Sequence, residues 1–143
     1  MSSKIIDEDA YQLSQQVGFN LRRANQRHVA IFSKHVEGLT PTQFAVLARI
    51  FELGALSQNK LGRLTAMDSA TVKGVVERLR AKDHVVSKAD QNDQRLRLIE
   101  LTAKGRAAFE VAQVQAQAAR LETVQPFTDQ ERKTFEALLA KLV

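Results

Sequence analysis

A chain of 143 residues has room for one domain with its own core, small enough that a core shared with a second copy would add to its stability. The absence of cysteine excludes a disulfide framework, a thiolate metal site and a cysteine redox switch, while a formal charge of +5 suits a polyanionic partner. No apolar run approaches membrane length and the N-terminus lacks the apolar stretch of a signal peptide, so a cytoplasmic protein without a membrane partner is expected.

In chain order, Leu13, Val17, Leu21, Ala24, His28, Ile31 and Phe32 recur at helical spacing and predict a long first helix from about Asp7 to His35. Glu37-Gly38-Leu39 breaks it. Thr40-Pro41-Thr42-Gln43 supplies an N-cap, a proline at N1 and a Gln at N3, with Leu39 and Phe44 placed to staple the new helix. Ser57 is the N-cap expected for a third, short helix, flanked by Leu56 and Leu61 and interrupted by Thr65-Ala66-Met67-Asp68. Asp68 or Ser69 then caps a fourth, in which Val72, Val75, Val76 and Leu79 form one buried stripe. Turning by about 100° per residue places Ala70, Lys73, Gly74, Glu77 and Ala81 on the opposite face, which is small and polar.

A basic hairpin follows. Lys82 to Lys88 predicts a first strand, Ala89-Asp90-Gln91-Asn92-Asp93 a polar turn, and Asp93 to Leu101 the tip and return strand. Thr102 caps a helix running from Ala103 to about Val124, which stops before Pro126 and restarts at the capping box Thr128-Asp129-Gln130-Glu131. Phe135, Leu138, Leu139 and Leu142 are the expected buried stripe of that last helix. The fold class expected is therefore mainly α with a small two- to three-stranded β-wing: a winged helix-turn-helix lobe between long terminal helices. With no repeat or linker, residues 1–143 are expected to form one integrated domain, with the lobe at 40–102 and helical regions at 1–36 and 103–143.

Two short helices followed by a basic hairpin point to DNA. So short a hairpin buries little, so its arginines are not there for the core. Lys60, Arg63, Lys73, Arg78, Arg80, Lys82, Lys88, Arg95 and Arg97 all fall within the lobe, and such concentration says more than net charge. Arg95 and Arg97, beside Gln94, are placed to meet the negative potential of a narrow minor groove, with Asp93 holding the wing's shape. On the fourth helix, Ala70 and Gly74 let the backbone approach base edges. Lys73 can reach guanine or phosphate, and Ser57, Ser69 and Thr71 can meet phosphate near helix N-termini. Arg78 completes the expected contacts. Glu77 would repel phosphate, so it is expected to pair with a base such as Arg78 or Arg80, or to accept from cytosine N4.

Ser57 to Thr102 resembles the DNA-binding lobe of the MarR family of bacterial transcription regulators. Asp93, Arg95, Leu101 and Thr102 match the family's wing pattern, and Gly105 and Leu39-Thr40-Pro41 fit as well. Asp83 stands where the family commonly has Gly, Ser87 where a basic residue is common, and Gln91 in place of a frequent wing proline. The resemblance implies dimerisation through the terminal helices and a pseudo-palindromic double-stranded operator. It also implies a small aromatic acid as effector, in a crevice between the first helix and the Thr40 helix. Arg23, Arg27 and His28 would meet the carboxylate there, and Phe32 and Phe44 would form the walls. A repressor relieved by such a ligand is the expected function. The rival is a helical protein-interaction adaptor that keeps the fold without sequence-specific DNA binding. No nucleophile motif, phosphate loop or paired carboxylates suggest an enzyme. His28, His35 and His84 lack the companions of a metal site, and no cofactor is expected.

Overall fold

The computed structural model describes residues 10–143. Its elements, in order, are a 3-10 turn Leu13–Gln15, α1 (Val17–His35), α2 (Pro41–Leu53), α3 (Gln58–Leu64), α4 (Ser69–Ala81), β1 (Val85–Ala89), β2 (Arg97–Leu101), α5 (Ala103–Thr123) and α6 (Asp129–Ala140). The expected caps form. Thr40 and Thr128 each close a capping box, with Gln43 and Glu131 reaching back. Ser57 accepts from the Lys60 amide, Asp68 from that of Thr71 and Thr102 from that of Gly105.

The first helix is shorter than periodicity predicts. It begins at Val17, after an extended Gln16. The reason is local: Gln16 Nε2 donates to Gln12 O at 3.0 Å and Asn20 Nδ2 to Ser14 O at 3.1 Å, so side chains satisfy carbonyls that a continuing helix would use. Residues 7–9 of the predicted helix lie outside the described residues.

The first strand is also shorter, starting at Val85 rather than Lys82. Lys82 remains in the helical region as C-cap of α4, and Asp83 adopts a left-handed φ of 62°. His84 N donates to Leu79 O and Asp83 N to Arg80 O, each at 2.9 Å, which is a Schellman closure with aspartate in the position glycine usually takes. The sheet has two antiparallel strands, Val85 facing Leu101 and Ala89 facing Arg97. In place of a third strand there is one isolated bridge, Leu56 with Ile99, closed by reciprocal bonds of 3.0 and 2.7 Å.

One buried cluster runs from Ile31, Phe32 and Val36 of α1 and its exit, through Val46, Leu47 and Ile50, Leu61, the α4 stripe and Val85, to Phe109, Ala112 and Ala119 of α5. The lobe is thus seated directly on the long helices. At the seam, a β-carbon on Gly105 would collide with the carbonyl of His84, so only glycine permits the approach of α5 to the turn after α4. The last helix departs from expectation: Phe135, Leu138, Leu139 and Leu142 are exposed in the single chain, and α6 contributes no buried residue. Val17, Val111, Val114 and Leu121 leave further apolar surface on α1 and α5, and Tyr11 adds to it ahead of α1.

Candidate nucleic-acid interface

The α4 helix buries Val72, Val75, Val76 and Leu79 and exposes Ser69, Ala70, Thr71, Lys73, Glu77 and Arg78. Its orientation follows from pattern alone: a valine-leucine stripe pressed into the lobe turns the small polar face outward. Asp68, not Ser69, is the cap; its carboxyl is held below the usual carboxylate range chiefly by the bond from the Thr71 amide, at 2.7 Å. Ser69 is left exposed in the first turn, near the positive helix end. Ser57 is half-buried and its hydroxyl oxygen caps α3, at 3.2 Å from the Lys60 amide. Gly74 has no packing role, since an added β-carbon would meet nothing within 4 Å except Arg78 Nη1. Glu77 forms no ion pair among the described residues, contrary to the expected pairing with Arg78 or Arg80. Arg78 follows Glu77 directly, and sequence neighbours on a helix do not lie side by side. Arg80, three residues on, is at a spacing that permits a pair but stands on the flank nearer the buried stripe and forms none.

The wing is built by its acids. Asp90 Oδ1 accepts from the amides of Asn92 and Asp93, at 2.7 and 3.1 Å, in the side-chain turn that aspartate favours. Asp93 Oδ1 accepts from the Arg95 amide at 3.0 Å and lies 3.5 Å from Arg95 Nε, at the tip of the wing. The Arg95 side chain projects from this tip 93% exposed, and Gln94 beside it is exposed too. Arg97 is different. Its Nε donates to Ser87 Oγ at 3.1 Å and its Nη2 to Ser87 O at 3.0 Å, so its guanidinium is partly committed to bracing the hairpin. Ser87, the position where a basic residue is common, therefore serves Arg97. Sequence reasoning missed both Ser87 and Asp90; the Asp-x-Asn turn pattern could have disclosed the second, whereas nothing local discloses the first.

The structure does not gather Arg23, Arg27, His28, Phe32 and Phe44 around one crevice; the cavity at the α1–α2 junction is lined instead by Ser33, Val36, Thr40, Gln43 and Lys82. Phe32 is 4% exposed and meets Phe44 at 5.7 Å between ring centroids, Phe44 meets Phe109 at 5.4 Å, and these rings belong to the core. Arg27 donates to the carbonyls of Thr123 and Glu122, at 2.5 and 3.2 Å, and so terminates α5. Arg23 lies over the Phe19 ring, 5.7 Å from its centroid. His28 faces a cavity. Its groove, about 400 Å³, runs among α1, α5 and α6 and is walled by Leu21, Ala24, Val124, Phe135 and Leu139. The Thr123 hydroxyl donates to Ala119 O at 2.8 Å and its oxygen lies 2.9 Å from His28 Nδ1, which can donate to it. Nearby, Glu122 is held below the usual carboxylate range by Lys34 and then His35, at 2.6 and 3.1 Å, tying the end of α1 to that of α5. No cluster of three or more potential metal-ligating His, Cys, Asp or Glu occurs among the described residues, and no helix there is long and apolar enough to cross a membrane.

The family model described as MarR family matches residues 39–96. The chain is 40% identical over 111 residues to the HTH-type transcriptional repressor NicR of Pseudomonas putida, covering 76% of this chain and 70% of NicR. A probable transcriptional regulator from Pseudomonas aeruginosa superposes with a TM-score of 0.90 at 46% identity, covering 92% of this chain and all of that one. BpsR of Bordetella bronchiseptica, whose DNA binding is regulated by 6-hydroxynicotinic acid, superposes with a TM-score of 0.88 at 40% identity over 93% of this chain and 96% of its own. These relatives are transcription regulators, not enzymes. With an outward-facing α4 beside a wing tipped by an exposed arginine, the chain belongs to the MarR family of winged helix-turn-helix transcription regulators.

Proposed function

We propose that the protein is a homodimeric repressor that occupies a pseudo-palindromic operator and releases it on binding a small ring carboxylic acid. The observation that carries the DNA contacts is the pairing of an outward α4 face, small at Ala70 and Gly74 and flanked by Lys73 and Arg78, with the exposed Arg95 on the adjoining wing. Residues 40–102 act as the DNA-binding lobe: Ser57, Ser69 and Thr71 touch phosphate, α4 enters the major groove, and Gln94, Arg95 and the outer donors of Arg97 reach the minor groove. Residues 1–36 and 103–143 form the dimer region, because the apolar faces of α1, α5 and α6 have no cover within one chain. Two-fold pairing then sets the α4 helices about one DNA turn, roughly 34 Å, apart.

The effector class follows from the relatives, since BpsR responds to 6-hydroxynicotinic acid. For this chain the groove beside His28 is the site we favour over the α1–α2 junction, because it combines apolar walls with the N–H groups of Asn25 and Arg120, which can donate to a carboxylate. A ligand preferring a dimer with mis-spaced α4 helices would release DNA by its difference in affinity, about 1–3 kcal/mol in typical couplings. The test is a mobility-shift titration on DNA from immediately upstream of the protein's own gene, with 6-hydroxynicotinic, nicotinic, benzoic and salicylic acids. Sequence-specific retardation reversed by at least one of them is expected. Retardation that none of them reverses would refute the effector class, and a lack of preference over random duplex would refute the regulator itself.

A further inference from the structure

We infer that Arg78 reads a guanine edge in the major groove, and that Gly74 is the bare floor across which it does so. The inference rests on the DNA-binding role of α4 and adds a base-reading residue to it. In steps of about 100°, Ala70, Gly74, Glu77 and Ala81 lie at the centre of the outward face, with Lys73 on one flank and Arg78 on the other. Helical side chains lean toward the N-terminus, so a long residue lies over the position four before it. For Arg78 that position is Gly74. Beyond its chain neighbours and the helix's own backbone, Arg78 Nη1 is the one atom within 4 Å of where a Gly74 β-carbon would stand, at 3.7 Å.

Gly74 is otherwise unexplained by the fold. It is not among the glycines with positive φ, and no neighbouring helix approaches it. A glycine inside a helix weakens it relative to alanine, so what remains is the space above its Cα. Side chains of most residues there would stand in that space and lift the guanidinium away from the helix surface.

Arg78 is also uncommitted, unlike several cations around it. Lys82 donates to Gly38 O and Gln43 Oε1, Arg97 to Ser87, Lys88 pairs with Glu100, and Arg49 with Leu64 O and Glu52. Arg78 is exposed and makes no ion pair or side-chain hydrogen bond among the described residues. Lys73 and Arg80 are uncommitted as well, but neither lies across a bare floor. A planar fork of donors lying on a surface that can approach the bases closely matches O6 and N7 of guanine better than it matches one phosphate oxygen.

The experiment measures binding of the full-length protein to its operator and to duplexes with each base pair substituted in turn, by fluorescence anisotropy at several salt concentrations. Wild type, Arg78→Lys, Arg78→Ala and Gly74→Leu are compared after circular dichroism melts confirm folding. Both Arg78 variants should lose a preference of roughly 10- to 100-fold at one G·C pair in each half-site, keeping those elsewhere. Gly74→Leu should erase the same preference with Arg78 still present. Uniform weakening on all duplexes by Arg78→Ala, with a salt slope lower by about two per dimer, would make Arg78 a phosphate-binding residue and overturn the inference. An intact preference in Gly74→Leu would overturn the role of the floor. A wild type with no preference at all would instead remove the DNA-binding reading on which this rests.

Discussion

Gly105→Ala tests the seam between the lobe and the long helices. A β-carbon at this position would fall 2.7 Å from the carbonyl carbon of His84 and 3.0 Å from its Cα, nearer still to the oxygen, where ordinary contact begins at 3.4 Å. The clash is backbone on backbone, so no flexible side chain can yield; α5 must retreat from the turn after α4 by about 1 Å or more to clear the His84 oxygen. That turn is closed by the Schellman bonds and by Thr102, whose amide donates to His84 O at 3.1 Å and whose hydroxyl donates to Asp83 O at 2.6 Å, so the retreat strains each of them. Overpacking of this kind costs about 1–3 kcal/mol, and the rigid neighbour argues for the upper end, while alanine's better helix propensity returns less than about 1 kcal/mol in a first turn. A net loss of roughly 2 kcal/mol lowers the melting temperature by about 4–8 °C in a chain of this size. It also moves α4 relative to α5, so operator affinity should fall more than affinity for random duplex. Urea unfolding followed by anisotropy titration measures both. Gly74→Ala is the control, expected to be as stable as wild type or more so. If Gly105→Ala unfolds at the same urea concentration and binds the operator normally, the seam is not as tight as the geometry requires.

Arg95→Ala should weaken binding to every duplex, specific or not, and reduce the salt slope by about one for each phosphate that the wing no longer neutralises; an unchanged slope in a folded variant would remove the wing from the interface. Deleting residues 128–143 should remove the exposed apolar face of α6 and cost dimerisation and operator binding together, read by sedimentation; a dimeric truncation with full affinity would contradict the assigned interface. His84 is buried, with Nδ1 lacking a partner, and burial followed by the charges of Lys104 and Lys82 lowers its pKa, against a smaller opposing effect of Asp83. A lowered folded pKa means the unfolded chain binds the proton more readily, so the stability from the neutral ring is complete above about pH 6.5 and is lost as pH falls below it. Urea midpoints at several pH values should show this decline, and His84→Leu should flatten it.

Helix starts are legible in the sequence because a cap is a contract between residues three apart: Thr40 with Gln43, Ser57 with Lys60, Asp68 with Thr71 and Thr128 with Glu131 need nothing distant. The same holds for the α4 stripe, whose spacing alone fixes which face turns outward, and for Asp83, whose tolerance of positive φ closes α4 where glycine is usual. Periodicity overreaches at the start of α1 because it does not register side-chain bonds such as Gln16 to Gln12, which end the pattern locally. Whether Arg27 and Phe32 group at the α1–α2 junction is illegible for a different reason. Arg27 and Phe32 carry one chemistry whether they line a cavity or not, and their partners, Thr123 and Phe44, are set by the packing of α1 against α5 and α2. Gly105 shows the division most clearly. The sequence marks it as a motif position, but only tertiary structure brings His84, far earlier in the chain, so close that no side chain fits. Local hydrogen bonding and periodicity determine the elements and their outward faces; burial decides which of the outward groups remain free to meet DNA.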